Sequence, residues 1–335
     1  MSELNKIALK IVSSGKGILA ADESTGTMTK RLESVNVKSN EENRLEFRSA
    51  LFSSKSMRNC IGGVILYDET IRQNYNEKSI PELILETGAV PGIKVDTGAK
   101  KLARSNDEKI TEGLDGLRER LKNYYDLGAR FTKWRAVYLI SEKYPSKLAI
   151  NVNAHALARY ASIVQEAGMV PIVEPEVLMD GNHSAQDCFN KTSEVVKKCF
   201  DELIFQKVDL KGILLKPNMI LPGSKSNQKI NSDEIAELTI KCLINSVPSE
   251  VPGIAFLSGG QSELEATKNL NTINKHNKSK FVMTYSYGRA LQQSALKHWS
   301  KDIKDIEGTQ KIFDHRANMC SLASMGKWVE EVDKI

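Results

Sequence analysis

Hydrophobic positions along the chain fall into short runs bounded by Gly or Pro, each followed by a stretch of helical periodicity. Eight of these runs read as strands, beginning near Ile18, Gly62, Gly92, Phe131, Val170, Gly212, Gly253 and Phe281, about 28 to 44 residues apart. Amphipathic stretches at 40–53, 111–127, 151–167, 184–205, 233–245 and 262–274 read as the helices between them. In the second, Leu114, Leu117 and Leu121 recur at three and four residues, which makes one buried helical face. Strand, helix and return to strand, eight times over, predicts an α/β fold of the (β/α)8 TIM-barrel type. A doubly wound sheet would need a topological switch point and a nucleotide loop after its first strand. Neither occurs. No Pro/Ser-rich linker divides the chain, so residues 1–335 are expected to form a single barrel domain with a helical C-terminal extension after about Lys301.

Composition narrows the function classes. Lys and Arg number 47 against 42 Asp and Glu, a formal charge of +5 over 335 residues. No block of five or six like charges forms a nucleic-acid arm or a polybasic membrane tether. The longest apolar runs, such as Val64-Ile65-Leu66, fall far short of the roughly 18 residues that cross a bilayer. Lys6 and Lys10 interrupt any signal-peptide core. Five widely spaced cysteines without a CxxC pair suit reduced core thiols. The expected setting is therefore the cytoplasm, with no nucleic-acid and no membrane partner, and the Asn-x-Ser/Thr matches at Asn182, Asn190 and Asn277 carry no meaning there.

Barrel strands are buried on both faces and should be aliphatic, yet their C-terminal ends here are charged. Asp22 closes the first, Lys94 and Asp96 the third, Lys133 and Arg135 the fourth, Glu174 and Glu176 the fifth, and Lys216 the sixth. Each pair is spaced i, i+2, which puts both side chains on one face of a strand. Facing the helices, they would bury unpaired charge in hydrocarbon. The barrel mouth is the cheaper place, and it is where barrel enzymes keep their chemistry. Lys94, Lys133, Arg135 and Lys216 could neutralise the carboxylates as a structural network, but a desolvated network of this size is a poor stabiliser. An excess of cations asks instead for a phosphorylated ligand.

A second anion signal lies at strands seven and eight. Ser258-Gly259-Gly260 lets an anion approach the backbone, Ser262 with Glu265 resembles a capping box, and Ser286-Tyr287-Gly288-Arg289 adds a guanidinium that can fork onto phosphate. Other motifs fail on context. Gly15-Lys16-Gly17 precedes a strand instead of following one, there is no Walker loop, and none of the five histidines has a second His or Cys at metal-ligand spacing, so neither a cofactor nor a metal is expected. His155, on a helix, reads as a packed or capping residue.

Leu214-Leu215-Lys216-Pro217-Asn218 places a lysine with its stem in an apolar barrel and its amine near Lys133 and Arg135. Desolvation and neighbouring cations both disfavour the ammonium form. A neutral amine attacks carbonyls, and its Schiff base is an electron sink that needs no metal. A carboxylic acid such as Glu174 could protonate the departing hydroxyl, which completes an aldol apparatus.

These residues resemble class I fructose-1,6-bisphosphate aldolase over nearly the whole chain, from the string Gly15 to Gly26 through 61–66, 92–98, Lys133-Trp134-Arg135, 171–176, 214–219, 257–263 and 286–291. The resemblance implies reversible, metal-independent cleavage of fructose 1,6-bisphosphate to dihydroxyacetone phosphate and glyceraldehyde 3-phosphate, in glycolysis and gluconeogenesis, by a homo-oligomer, a tetramer in the family. It implies Lys216 as the Schiff-base lysine, Glu174 as the acid/base of carbinolamine formation and dehydration, and Asp22 as acceptor of the C4 hydroxyl proton, with Lys133 and Glu176 in support. By the same carry-over the C1-phosphate lies on Ser258, Gly259, Gly260, Ser286, Gly288, Arg289 and Arg31, and the C6-phosphate near Lys94, Lys133 and Arg135. Arg44 is a weaker carry-over, with a solvated helix face as its plain reading. One departure stands out: tailed relatives carry a terminal tyrosine that reaches the active site, and 329–335 here contains none. The enamine proton is then expected to come from water or from a group fixed in the barrel. A Schiff-base aldolase for another phosphorylated sugar, or a non-catalytic scaffold for a polyanion or filament, remain as alternatives.

Overall fold

A computed structural model describes residues 1–334. Eight strands, β1 (Gly17–Ala21), β2 (Ile61–Leu66), β3 (Val90–Lys94), β4 (Phe131–Tyr138), β5 (Val170–Val177), β6 (Leu214–Leu215), β7 (Gly253–Phe256) and β8 (Val282–Tyr287), pair in parallel with their sequence neighbours. β8 returns to β1 through Ile18↔Ser286 and Leu19↔Tyr287, so the ring is closed. The strand starts lie within two residues of those read from the hydrophobic runs. Alternation along each strand sorts two cores. Leu19, Val64, Trp134, Val173, Leu215 and Ile254 face outward under the helices. Ile18, Ala20, Ile65, Val90, Phe131, Val170, Ile172, Leu214 and Ala255 fill the interior.

The first helix, Glu3–Ile11, went unread in the sequence and works as a stopper. Its Ala8 and Ile11, with Val12, complete the inner core. The Ile11 carbonyl comes so close to β2 that a Cβ on Gly62 would stand 1.9 Å from it, so only glycine fits there. The stretch 111–127 is not one helix. Lys109–Glu112 pairs antiparallel with Gly98–Lys101, and the helix covers only Leu117–Asp126. Tertiary bonds decide this: Thr111 Oγ1 donates to the Arg135 carbonyl (2.7 Å) and the Thr111 amide donates to Asn153 Oδ1 (3.2 Å), fastening the hairpin to the barrel wall.

Beyond the barrel, helix Ile306–Ser324 forms the expected C-terminal extension. The segment after it is held by Asp333, whose side chain is almost wholly buried. Asp333 accepts from Arg316 (2.8 Å to each oxygen), lies 3.0 Å from His315 Nε2, and accepts from Trp328 Nε1 (3.0 Å). Among the described residues no helix is long and apolar enough to cross a membrane.

Candidate active site

The inward parity that gives Ala20, Phe131, Ile172 and Leu214 in the lower barrel gives Asp22, Lys133, Glu174 and Lys216 one step above, so the apolar lining becomes charged where the strands end. Register sets the neighbours: Lys94 is the partner of Lys133 across β3 and β4, and Arg135 of Glu174 across β4 and β5. These side chains line a cleft of about 1060 Å³ at the C-terminal rim, together with Arg31, Asp96, Glu176, Ser258, Gly259, Gly260, Ser286, Gly288 and Arg289. Every site residue drawn from the sequence except the weaker carry-over Arg44 lies in this one cleft. Arg44 does not line it. Arg44 is buried, held by Glu69 at 2.6 and 2.8 Å.

Four groups form the centre. Lys133 Nζ lies 2.7 Å from Asp22 Oδ2 and 3.3 Å from Glu174 Oε2, and Lys216 Nζ lies 3.1 Å from Glu174 Oε1. Glu174 thus bridges the two lysines, and Lys133 bridges the two carboxylates. Burial alone would raise the pKa of Asp22, but Lys133 and then Lys216 outweigh it and hold the carboxyl at about 2. Glu174 also titrates below the ordinary range: burial opposes this, while Lys133, Lys216 and Arg135 enforce it. For Lys133 burial works against the charge, yet Asp22, Glu174 and Asp96 keep the ammonium and push its pKa up. Arg135, half exposed, is raised in the same way by Glu176, which accepts its Nε–H bond.

Two expectations are amended by this geometry. The group in contact with Lys216 Nζ is the Glu174 carboxylate, expected near it, and not Lys133 or Arg135, which were also expected beside it. The expected surplus of strand-end cations is also gone: Asp96, 2.5 Å from Lys94 Nζ, supplies a fourth carboxylate to Asp22, Glu174 and Glu176, so four cations meet four anions. An unpaired cation lies further out, at Arg289, which lines the cleft, is exposed and has no ion pair among the described residues. Beside it the backbone of Gly259 (φ +57°) and Gly260 (φ +87°) turns through the left-handed region that glycine tolerates. Ser286 is buried with no hydrogen-bond partner for Oγ, and Gly288 opens helix Arg289–Trp299. Amides, a free hydroxyl and a guanidinium around one corner suit an anion. The capping box of Ser262 and Glu265 is present at the start of Glu263–His276. His155 is neither packed nor capping; it is exposed, 3.2 Å from Glu202.

Sequence reasoning missed Glu23 and Arg48. Glu23 lines the cleft and holds Arg31 through Nη1. Arg48 is buried, donates to the Glu23 carbonyl (2.8 Å) and Thr70 Oγ1 (2.7 Å), and lies 3.6 Å from Glu23 Oε2. The available signal was an arginine beside Phe47 and Leu51 on the buried face of a helix. Asn218 was missed as well. It accepts from the Val177 amide (3.0 Å), tying the end of β5 to the turn after Lys216. Among the described residues no group of three or more His, Cys, Asp or Glu is placed to hold a metal ion.

Residues 3–335 match the family model described as fructose-bisphosphate aldolase class-I. A probable fructose-bisphosphate aldolase class 1 of Xylella fastidiosa is 46% identical over 330 residues, covering 98% of this chain and 99% of the relative. The cytosolic fructose-bisphosphate aldolase 5 of Arabidopsis thaliana is 50% identical over 328 residues, 97% of this chain and 91% of the relative. A solved structure of Plasmodium falciparum fructose-bisphosphate aldolase, in complex with TRAP and a small-molecule inhibitor, superposes with a TM-score of 0.96 at 43% identity, covering 98% of this chain and 95% of that one.

Proposed function

That the chain belongs to the class-I fructose-bisphosphate aldolase family is the premise from which we propose how its site works. The activity is reversible aldol cleavage of fructose 1,6-bisphosphate to dihydroxyacetone phosphate and glyceraldehyde 3-phosphate through a lysine Schiff base. In our assignment Lys216 attacks the C2 carbonyl of the open-chain ketose. Its ammonium first passes a proton to Glu174, 3.1 Å away, and the free amine then forms the C–N bond. Glu174, now a carboxylic acid, returns the proton to the C2 hydroxyl, which leaves as water and gives the iminium. Asp22 takes the C4 hydroxyl proton as the C3–C4 bond breaks, and the electron pair flows into the iminium to give the enamine. Glyceraldehyde 3-phosphate departs, the enamine gains a proton at C3, and water releases dihydroxyacetone phosphate from Lys216. Lys133 keeps Asp22 ionised and Glu176 holds Arg135. The C1-phosphate is assigned to Ser258, Gly259, Gly260, Ser286, Gly288, Arg289 and Arg31, and the C6-phosphate to the side of Lys94, Lys133 and Arg135. A cytoplasmic homo-oligomer acting as one catalytic domain per chain belongs to the same reading.

The observation that carries this assignment is the chain Lys216, Glu174, Lys133, Asp22, linked at 3.1, 3.3 and 2.7 Å. Glu174 stands within hydrogen-bond reach of the amine, so it can relay a proton to and from it, and Asp22, kept ionised by Lys133, is free to accept one. Borohydride reduction in the presence of dihydroxyacetone phosphate is expected to attach the three-carbon unit covalently to Lys216 alone. A peptide map placing the adduct on Lys133 or Lys94 would overturn the assignment.

A further inference from the structure

Arg31 is buried and lines the cleft, yet its guanidinium is only partly used. Nη1 donates to Glu23 Oε1 and, at 3.4 Å, to Gln292 Oε1, while Nε and Nη2 have no partner. Nε and Nη2 form the edge that grips two oxygens of a phosphate. Glu23 is placed at the same corner from the other side. A Cβ built on Gly288 would stand 3.8 Å from Glu23 Oε1, so this carboxylate oxygen sits beside the residue that opens helix Arg289–Trp299. Its other oxygen makes no hydrogen bond and lies 3.6 Å from buried Arg48.

We propose that Glu23 is an internal competitor for the phosphate corner: its carboxylate occupies Arg31 in the free enzyme, and substrate phosphate displaces it. This rests on Arg31 being a phosphate ligand, as assigned above. Two features make the exchange inexpensive. Arg48 stays in place as a counter-ion, so Glu23 is not left as a bare buried charge when Arg31 turns to the substrate. Arg31 already presents two idle donors, so it gains bonds as it changes partner. Glu23 therefore sets how tightly the corner holds an anion, and with it how readily a phosphorylated product leaves. It is a positioning and affinity-setting residue; no bond to the reacting carbons is assigned to it.

The test uses inorganic phosphate as a competitive inhibitor of the full-length enzyme, with fructose 1,6-bisphosphate as substrate. Glu23→Gln keeps an acceptor oxygen for Arg31 and removes the charge. Phosphate should bind about three- to tenfold more tightly, the Coulomb effect of one charge a few ångströms away in a solvated cleft, and KM should fall without a rise in kcat. Glu23→Asp keeps the charge that Arg48 requires and shortens the reach to Arg31 by one methylene. It should shift phosphate binding in the same direction by less, and it serves as the test if the Gln variant does not fold. Unchanged or weaker phosphate binding in the folded variants overturns the proposal. Arg31→Ala separates the two layers: it should weaken phosphate binding in the otherwise native chain, and an unchanged inhibition constant there would remove the premise about Arg31 itself.

Discussion

Replacing Lys133 by methionine isolates the central charge pattern. The side chain keeps its length and loses its ammonium, leaving Asp22 and Glu174 in the barrel mouth with Lys216 as their nearest remaining cation. In the native protein Asp22 is held at about 2 against an ordinary 3.8, which corresponds to about 2–3 kcal/mol. Because the folded-state pKa is depressed, that stability is fully present above the unfolded value near 3.8 and is lost as pH falls toward 2. Near pH 3 the unfolded chain holds most of a proton more at this group than the native one, a slope of about 1 kcal/mol per pH unit. Lys133→Met should erase most of this slope and, at pH 7, destabilise the fold by about 3–5 kcal/mol, since one partner of a buried ion pair is removed. Urea unfolding midpoints from pH 3 to 7, native against variant, measure both quantities. The same acid slope in both proteins would show that Lys133 is not what keeps Asp22 ionised.

The two phosphate ends can be told apart. Arg289→Ala should weaken binding of both fructose 1,6-bisphosphate and fructose 1-phosphate, by about 1.5–3 kcal/mol for a charge-assisted contact, and Arg135→Ala should raise KM selectively for the bisphosphate; equal losses on both substrates would contradict the assigned ends. Asp333→Asn should lower the thermal midpoint by a few degrees, because Arg316 and His315 lose their shared partner, and leave the cleavage rate within about twofold. A tenfold fall in turnover with the fold intact would mean that 329–334 takes part in catalysis.

The strand order and the charged rim were legible because period-two alternation is a local property. Once Ile172 faces inward, Glu174 and Glu176 must follow, and the same holds from Phe131 to Lys133 and Arg135. Pairings between elements were not legible. Nothing in the spacing says that Glu23 meets Arg48 from a helix 25 positions on, or that Lys109–Glu112 leaves a helical pattern to pair with Gly98–Lys101. The stopper helix was hidden for a similar reason: its apolar positions look like any amphipathic helix until the hole they fill is known. The nucleophile's surroundings were misread in part. Glu174 was read as a carboxylic acid near the amine and stands there at 3.1 Å, while the cations read as its neighbours are held beyond that carboxylate.

Closure of the ring between β1 and β8 has a consequence during synthesis. The first strand made is hydrogen-bonded to the last, through Ile18↔Ser286, so a chain leaving the ribosome carries an open sheet until Tyr287 emerges. At about 5–20 residues per second that interval is about 15 to 60 seconds. Throughout it, β1 offers an unsatisfied row of amides and carbonyls, the kind of edge on which other chains stack. Glu3–Ile11 emerges before all of this, but Gly253, part of the opening it plugs, is translated about 240 residues later; a Cβ there would meet Val12 at 2.7 Å. A messenger truncated between β7 and β8 would yield a seven-stranded sheet with two raw margins, and its fate would fall to chaperones and proteases.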